Sequence, residues 1–338
     1  MSTTVISVED ASQVAEARRK VVALADRIGF DETARGHAAI VATELASNLV
    51  KHGSGGSILA SLATHGDEEE IELLAVDAGR GLADVEACLR DGFSTAGSAG
   101  QGLGAIRRQS RAMDIASWPD KGAVVLSRLS RQPPGPPPAI SREPVWAAVS
   151  TPKPGEDVCG DAYAVAEGPG GVTRLLVADG LGHGPAAAEA STAAVRVFMA
   201  QAARETDPTA LVERLHAGLR STRGAAVAVA EIDRAGGRVR YCGVGNIAGA
   251  IVNGASARRL LSHNGTAGVV ARRIQTVDYP YAPGDCVIMH SDGVSASWSF
   301  DRYPGLASGH PALVAGVLWR DFARERDDAT VLVWRDPT

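Results

Sequence analysis

The hydrophobic and polar positions of this chain fall into two series. In the first, the apolar positions of 5–8 predict a strand. Val14, Ala17, Val21, Leu24, Ala25 and Ile28 recur at helical spacing, so 11–28 reads as an amphipathic helix. A second helix begins at Asp31-Glu32, where acidic residues suit a first turn. It carries Ile40, Val41, Leu45 and Leu49 and stops at His52-Gly53. Strands over 57–64 and 71–76 follow, joined by a turn at His65-Gly66-Asp67. The remainder of this half reads as a short helix over 84–89, a Gly- and Ser-rich loop over 92–104, a helix over 105–113 and a strand over 122–129.

The second series opens with a strand over 145–149. Strands over 161–166 and 173–178 form a pair across Gly168-Pro169-Gly170-Gly171. Helices over 186–203 and 208–219 come next, then strands over 225–232, 238–244, 248–252 and 286–291. A helix over 311–323 and a strand over 329–334 close the chain. Strands, a helix pair and strands again predict an α+β layered sandwich, not a βαβ array. Between the two series, Pro133-Pro134-Gly135-Pro136-Pro137-Pro138 breaks every pattern. Proline lacks the amide hydrogen and fixes one dihedral, so 131–144 reads as a semi-rigid linker between a domain of 1–130 and a domain of 145–338.

Composition changes this picture little. The 338 residues suffice for two cores, and 45% hydrophobic with 22% charged residues is ordinary globular composition. A net charge of -5 gives no general attraction to nucleic acid or to an anionic membrane. No apolar run is long enough to span a bilayer, and residues 1–10 lack the regions of a signal peptide. Cys88, Cys159, Cys242 and Cys286 have no paired spacing, which points to reduced thiols in a cytoplasmic protein.

The chemistry of the second half sits at strand ends. Leu175–Ala178 reads as a buried strand ending at Asp179-Gly180, with a glycine-rich turn behind it. A hard cation reaches both the Asp179 carboxylate and the Gly180 carbonyl in such a turn, because magnesium and manganese prefer oxygen ligands. Asp161 opens a strand, Asp292 ends one before Gly293, and Asp327-Asp328 precedes the last. Singly, each is an ordinary loop acid. Jointly, carboxylates gathered at strand ends repel one another unless a cation neutralises them. Two cations sharing one carboxylate would also bring a bound water into the neutral pKa range, giving a nucleophile for phosphorus without Ser or Cys.

The ordered segments Gly155–Tyr163, Ala178–Gly184, Gly243–Asn246, Ser291–Val294 and Asp327–Thr330 resemble the motifs of bacterial PPM-type serine/threonine phosphatases, the SpoIIE-like branch. The resemblance covers roughly 145–334 and implies an α-β-β-α sandwich with two Mn²⁺ or Mg²⁺ ions. It implies Asp161, Asp179, Asp292 and Asp327 as ligands, with the Gly180 carbonyl as another and Asp179 as the bridge. Asp327 is preferred to Asp328 because the family pattern puts the ligand first. His183 reads as a turn histidine making a structural hydrogen bond, with a role as acid or phosphate contact as the rival.

In the first half, Glu44, Asn48, Lys51 and His52 share one helix face. Asp77-Ala78-Gly79-Arg80-Gly81 puts an acceptor-only carboxylate at a strand end, suited to an adenine amino group. Gly97–Gly104 leads into a helix whose amides receive phosphates. A dinucleotide fingerprint at Gly100–Ala105 lacks the preceding strand it needs. Glu44–Asn48, Asp77–Gly81, Arg90–Thr95, Gly100–Gly104 and Lys121–Ala123 resemble the boxes of GHKL-type ATPases, nearest the small anti-sigma and stressosome serine kinases of the RsbT and RsbW type. The resemblance implies a Bergerat α/β sandwich binding ATP with Mg²⁺. Asn48 would sit on magnesium, Asp77 on adenine within the Gly79 and Gly81 loop, Gly102 and Gly104 at the phosphates, and Glu44 as base for a protein hydroxyl.

Together the resemblances imply a partner-switching enzyme that dephosphorylates a serine or threonine of a STAS-domain protein and phosphorylates the same or a related partner. A sigma factor is a further candidate partner; nucleic acid and membrane are not. A second reading stays open, in which the N-terminal half only binds nucleotide and captures a sigma factor or antagonist without phosphate transfer.

Overall fold

The computed structural model describes residues 2–65, 68–82, 85, 102–132 and 145–336. The chain divides between Ser141 and Arg142 into two compact units. The expected short helix over 84–89 (all but residue 85), the boxes at Arg90–Thr95 and Gly97–Gln101, and the proline-rich stretch 133–144 lie outside the described residues.

In the first unit, β1 (Thr4–Val8), β2 (Gly56–His65), β3 (Glu68–Val76), β4 (Ala112–Ser117) and β5 (Ala123–Leu129) form an antiparallel sheet in the order β1-β2-β3-β5-β4. Helices α1 (Ala11–Arg27), α2 (Glu32–His52) and α3 (Gly102–Gln109) share a core with it. The periods are visible in that core. Ile71, Leu73 and Ala75 enter it from alternate positions of β3, and Ala38, Val41, Ala42 and Leu45 from one stripe of α2. Local chemistry sets the helix starts. Asp10 accepts from the Ser12 amide at 2.7 Å while the Gln13 side chain accepts from the Asp10 amide at 3.2 Å, a capping box. Asp31 caps α2 through the Ala34 amide at 2.7 Å.

One expectation is corrected. The helix expected over 105–113 runs from Gly102 to Gln109, and Ala112–Ser117 is a strand. Ala112 and Met113 are good helix formers, but the Arg111 amide already donates to the Arg128 carbonyl at 2.8 Å, which starts the ladder to β5.

The second unit contains two sheets. One has the order β13-β10-β9-β8-β7, from β7 (Asp161–Glu167), β8 (Thr173–Gly180), β9 (Ala225–Asp233), β10 (Arg238–Val244) and β13 (Ser262–His263), with β16 (Val277–Pro280) also on β10. The other has the order β12-β11-β17-β18-β6, from β6 (Val145–Thr151), β11 (Ala248–Asn253), β12 (Ser256–Leu260), β17 (Cys286–His290) and β18 (Ala329–Arg335). The short β14 (Gly265–Thr266) and β15 (Val270–Ala271) pair with each other. Strands β12 to β16 are additions to the sequence reading.

The apolar run of β8 is buried on both faces. Leu175 and Val177 face a core shared with Val287, Met289, Leu332 and Trp334 of the other sheet. Leu176 and Ala178 face Phe198 of α4 (Pro185–Gln201) and Leu211 and Leu215 of α5 (Pro208–Gly218). Helix α6 (Pro311–Phe322) packs on β6 and β18, completing an α-β-β-α sandwich. Apolar faces on both sides leave the strand ends for polar chemistry.

Candidate functional site

In the antiparallel ladder of β7 and β8, Asp161 is the register partner of Asp179, so the first residue of one strand meets the end of the other. Ser291 and Asp292 follow β17, and Asp327-Asp328 precedes its neighbour β18. The two sheets meet through a buried bond: Ser291 Oγ donates to Asp161 Oδ2 at 2.6 Å and accepts from the Thr330 amide at 3.0 Å. Asn246 Nδ2 donates to Asp292 Oδ2 at 2.6 Å, and the Lys153 amide donates to Asp328 Oδ1 at 2.9 Å.

These acids act on one another. Burial, and then the charges of Asp161, Asp292, Asp327 and Asp328, push the Asp179 carboxyl far above its ordinary range. Burial raises Asp161, opposed by hydrogen bonds from Ser291 and Thr330. Burial followed by Asp327 raises Asp292, and burial raises Asp328, which the Lys153 amide partly offsets. The charge of Asp327 contributes to raising all four.

The donor set fits divalent cations. Five carboxylates converge on one end of the sandwich, and the buried Asp328 Oδ2 has no well-formed hydrogen bond among the described residues. Among the described residues, no group of three or more His, Cys, Asp or Glu side chains is placed to hold an ion by itself. Magnesium is commonly bound through one or two carboxylates, with waters filling its remaining positions. Gly180 is required by packing: a Cβ there would lie 2.0 Å from the Ala187 carbonyl oxygen, at the start of α4. His183 Nδ1 lies 2.7 Å from Glu156 Oε1, the hydrogen bond expected of a turn histidine. Cys159, Cys242 and Cys286 are buried and free, and burial pushes each thiol up to about 12.

The sequence reading gave no role to Ser291, Thr330 or Asn246, although all three lie in the quoted motifs. Ser291 stands beside Asp292 and Asn246 beside Gly245, whereas Thr330 has only Ala329 and Val331 as neighbours and carried no such signal. Their partners lie far away in sequence and follow from sheet pairing.

In the first unit, α2 carries Glu44 and Asn48 on one half-buried face. A Cβ on Gly102, at the start of α3, would lie 3.2 Å from Glu44 Oε2 and 3.4 Å from Asn48 Oδ1. Asp77 lies beyond the other end of the same helix segment, against Gly53, and its Oδ1 accepts from the Gly79 amide at 2.8 Å. Gly81 packs against the Trp118 carbonyl, and Gly104 is buried within α3. From Glu44 to Gly53 the helix rises about 14 Å. Glu44 and Asp77 therefore lie toward opposite ends of this stretch of α2.

Two helix-flanked sheets with carboxylates gathered at their common end define the class of the second unit as a PPM-type phosphatase fold, and the first unit is a helix-backed ATPase-type sheet. Family comparison agrees for each. Residues 169–335 match the family described as stage II sporulation protein E, and residues 7–128 match the histidine kinase-like ATPase domain. The chain thus joins a histidine kinase-like ATPase domain to a SpoIIE-type phosphatase domain. It is 29% identical over 145 residues to the phosphoserine phosphatase RsbX of Bacillus subtilis (42% of this chain, 71% of that protein). It is 26% identical over 102 residues to the serine/threonine-protein kinase RsbT of the same organism (30% of this chain, 77% of that protein). A solved structure from work on the bacterial stressosome, a modular system adapted to control secondary messenger signalling, is 28% identical with a TM-score of 0.50. That alignment covers 57% of this chain and all of the other. No helix among the described residues is long and apolar enough to cross a membrane.

Proposed function

We propose that the second unit hydrolyses phosphoserine or phosphothreonine on a STAS-type partner protein in the cytoplasm, with Asp161, Asp179, the Gly180 carbonyl, Asp292 and Asp327 holding two Mn²⁺ or Mg²⁺ ions. The observation that carries this reading is the Asp161–Asp179 register pair, tied to the opposite sheet by Ser291. Bound there, the ions supply Lewis acidity toward the phosphoryl group. The chain's own residues set the geometry. Ser291 and Thr330 fix Asp161, Asn246 fixes Asp292, and Gly180 lets α4 approach the strand end. Asp327 is preferred over Asp328 because the family pattern puts the ligand first in that pair; each of the two has one oxygen bonded to a backbone amide, Asp327 Oδ1 to that of Asp328 and Asp328 Oδ1 to that of Lys153.

The first unit, in this reading, binds ATP with Mg²⁺ through Asn48, Asp77, Gly79, Gly81, Gly102 and Gly104. Glu44 takes the proton of a hydroxyl on a related partner; a sigma factor is a candidate binder. The approach of Glu44 and Asn48, both on α2, to Gly102 at the start of α3 supports phosphate transfer over simple nucleotide sensing.

Hydrolysis of p-nitrophenyl phosphate with and without manganese, in wild type and Asp179→Asn, tests the phosphatase assignment. Activity that needs the metal and disappears in the variant is expected; undiminished activity in the variant would sink it. Labelled ATP with a STAS-domain protein, in wild type and Glu44→Ala, separates kinase from binding module.

A further inference from the structure

The edge of the carboxylate site carries features that a small phosphate ester would not use. Gly180, at the end of β8, pairs with Ala225 of β9, and Ala225 bridges to Ala267 through hydrogen bonds of 3.0 and 2.8 Å. The Leu181 amide donates to the Gly224 carbonyl at 3.0 Å. A Cβ on Gly224 would lie 2.9 Å from Val269 Cγ2, and one on Gly182 would lie 3.4 Å from Arg223 Nη1. The segments 180–182, 223–225 and 267–270 therefore form one continuous rim beside Asp179.

This rim is apolar and exposed. Leu181 is 56% exposed, Val269 62% and Val270 52%, three of the seven large hydrophobic side chains that the described residues expose. Arg223 is exposed, and among the described residues no hydrogen bond or ion pair holds its guanidinium. The Arg223 guanidinium lies beside Gly182, next to Leu181, which places its charge on the rim. Aliphatic side chains beside a lone guanidinium match a polypeptide carrying an apolar residue and an acid.

We propose that Leu181, Val269, Val270 and Arg223 form the docking rim for the polypeptide that flanks the phosphorylated residue, with an aliphatic side chain of the substrate on the valines and leucine and an acidic side chain on Arg223. This rests on the phosphatase reading of the adjoining site and adds its substrate preference: an acidic, apolar flank beside the phosphoserine.

The test uses the full chain and two short fluorescein-labelled phosphoserine peptides, one with Glu and Leu beside the phosphoserine and one with Lys and Ser. Binding is read by fluorescence anisotropy in the Asp179→Asn background, and turnover of each peptide and of p-nitrophenyl phosphate in the parent. Wild type should prefer the Glu-Leu peptide. Arg223→Glu should weaken its binding by about tenfold and improve binding of the Lys peptide. Leu181→Ser with Val269→Ser should lower kcat/KM for the Glu-Leu peptide by about tenfold more than for p-nitrophenyl phosphate. Equal losses on peptide and small ester, or no dependence on the sign of residue 223, would overturn the rim. If neither substrate is turned over in any form but the charge-dependent binding remains, the rim stands and the phosphatase reading falls.

Discussion

Taking one charge out of the carboxylate cluster should stabilise the metal-free protein. Asp179→Asn is the change of choice, because four other acids raise its carboxyl in addition to burial. The unfolded chain loses this proton near the ordinary carboxyl range, while the folded chain retains it to much higher pH. Between those two values the native state holds more protons, so stability falls as pH rises through the window and the loss is complete above the folded pKa. About pH 7 lies roughly three units above the unfolded value, which at about 1.4 kcal/mol per unit sets a ceiling of ~4 kcal/mol. Water in an open strand-end cleft and the imperfect fit of an amide reduce the expected gain to about 1–2 kcal/mol. For a unit of this size that is a rise in Tm of roughly 2–8 °C. Trp146, Trp298, Trp319 and Trp334 lie in the second unit and Trp118 in the first, so tryptophan fluorescence follows the relevant transition. In EDTA, the variant should melt above wild type about pH 7, and the gap should close as the pH falls below the window. Saturating manganese at about a hundred times its Kd should stabilise wild type by about 2.7 kcal/mol and the variant by much less. A variant that melts below wild type in EDTA, or a manganese shift equal in both, would refute the reasoning.

Glu231→Gln should cost about 3–5 kcal/mol in urea unfolding, because it leaves Arg174, 1% exposed and bonded also to the Ala202 and Glu205 carbonyls, without its buried counterion; a loss below about 1 kcal/mol would show that the pair contributes little. Gly122→Ala should reduce ATP affinity by more than about tenfold, since φ is +71° and a Cβ there would lie 1.9 Å from the Asp77 carbonyl oxygen; unchanged affinity by calorimetry would remove Asp77 from the nucleotide site. Asn48→Ala should lower ATP affinity by more than about tenfold at physiological magnesium without moving the second unit's melting transition, and an unchanged affinity would misplace the nucleotide site.

Local signals carried much of this protein. Asp31 and Gly53 mark helix ends that the structure contains, because capping needs only neighbours a few residues away. The apolar run Leu175–Ala178 and the acids at 161, 179, 292 and 327–328 were legible because a strand buried on both faces must end in its polar residues. Tertiary structure decided the rest. Ala112–Ser117 is a strand because its backbone groups pair with β5, against a local composition that favours helix. Ser291 reaches Asp161 across 130 positions and Asn246 reaches Asp292 across 46, contacts set by sheet order and register. Periodicity and capping act within a few residues and write themselves into the sequence; the pairing of distant strand ends depends on how two sheets close on a common core, and no local pattern encodes it.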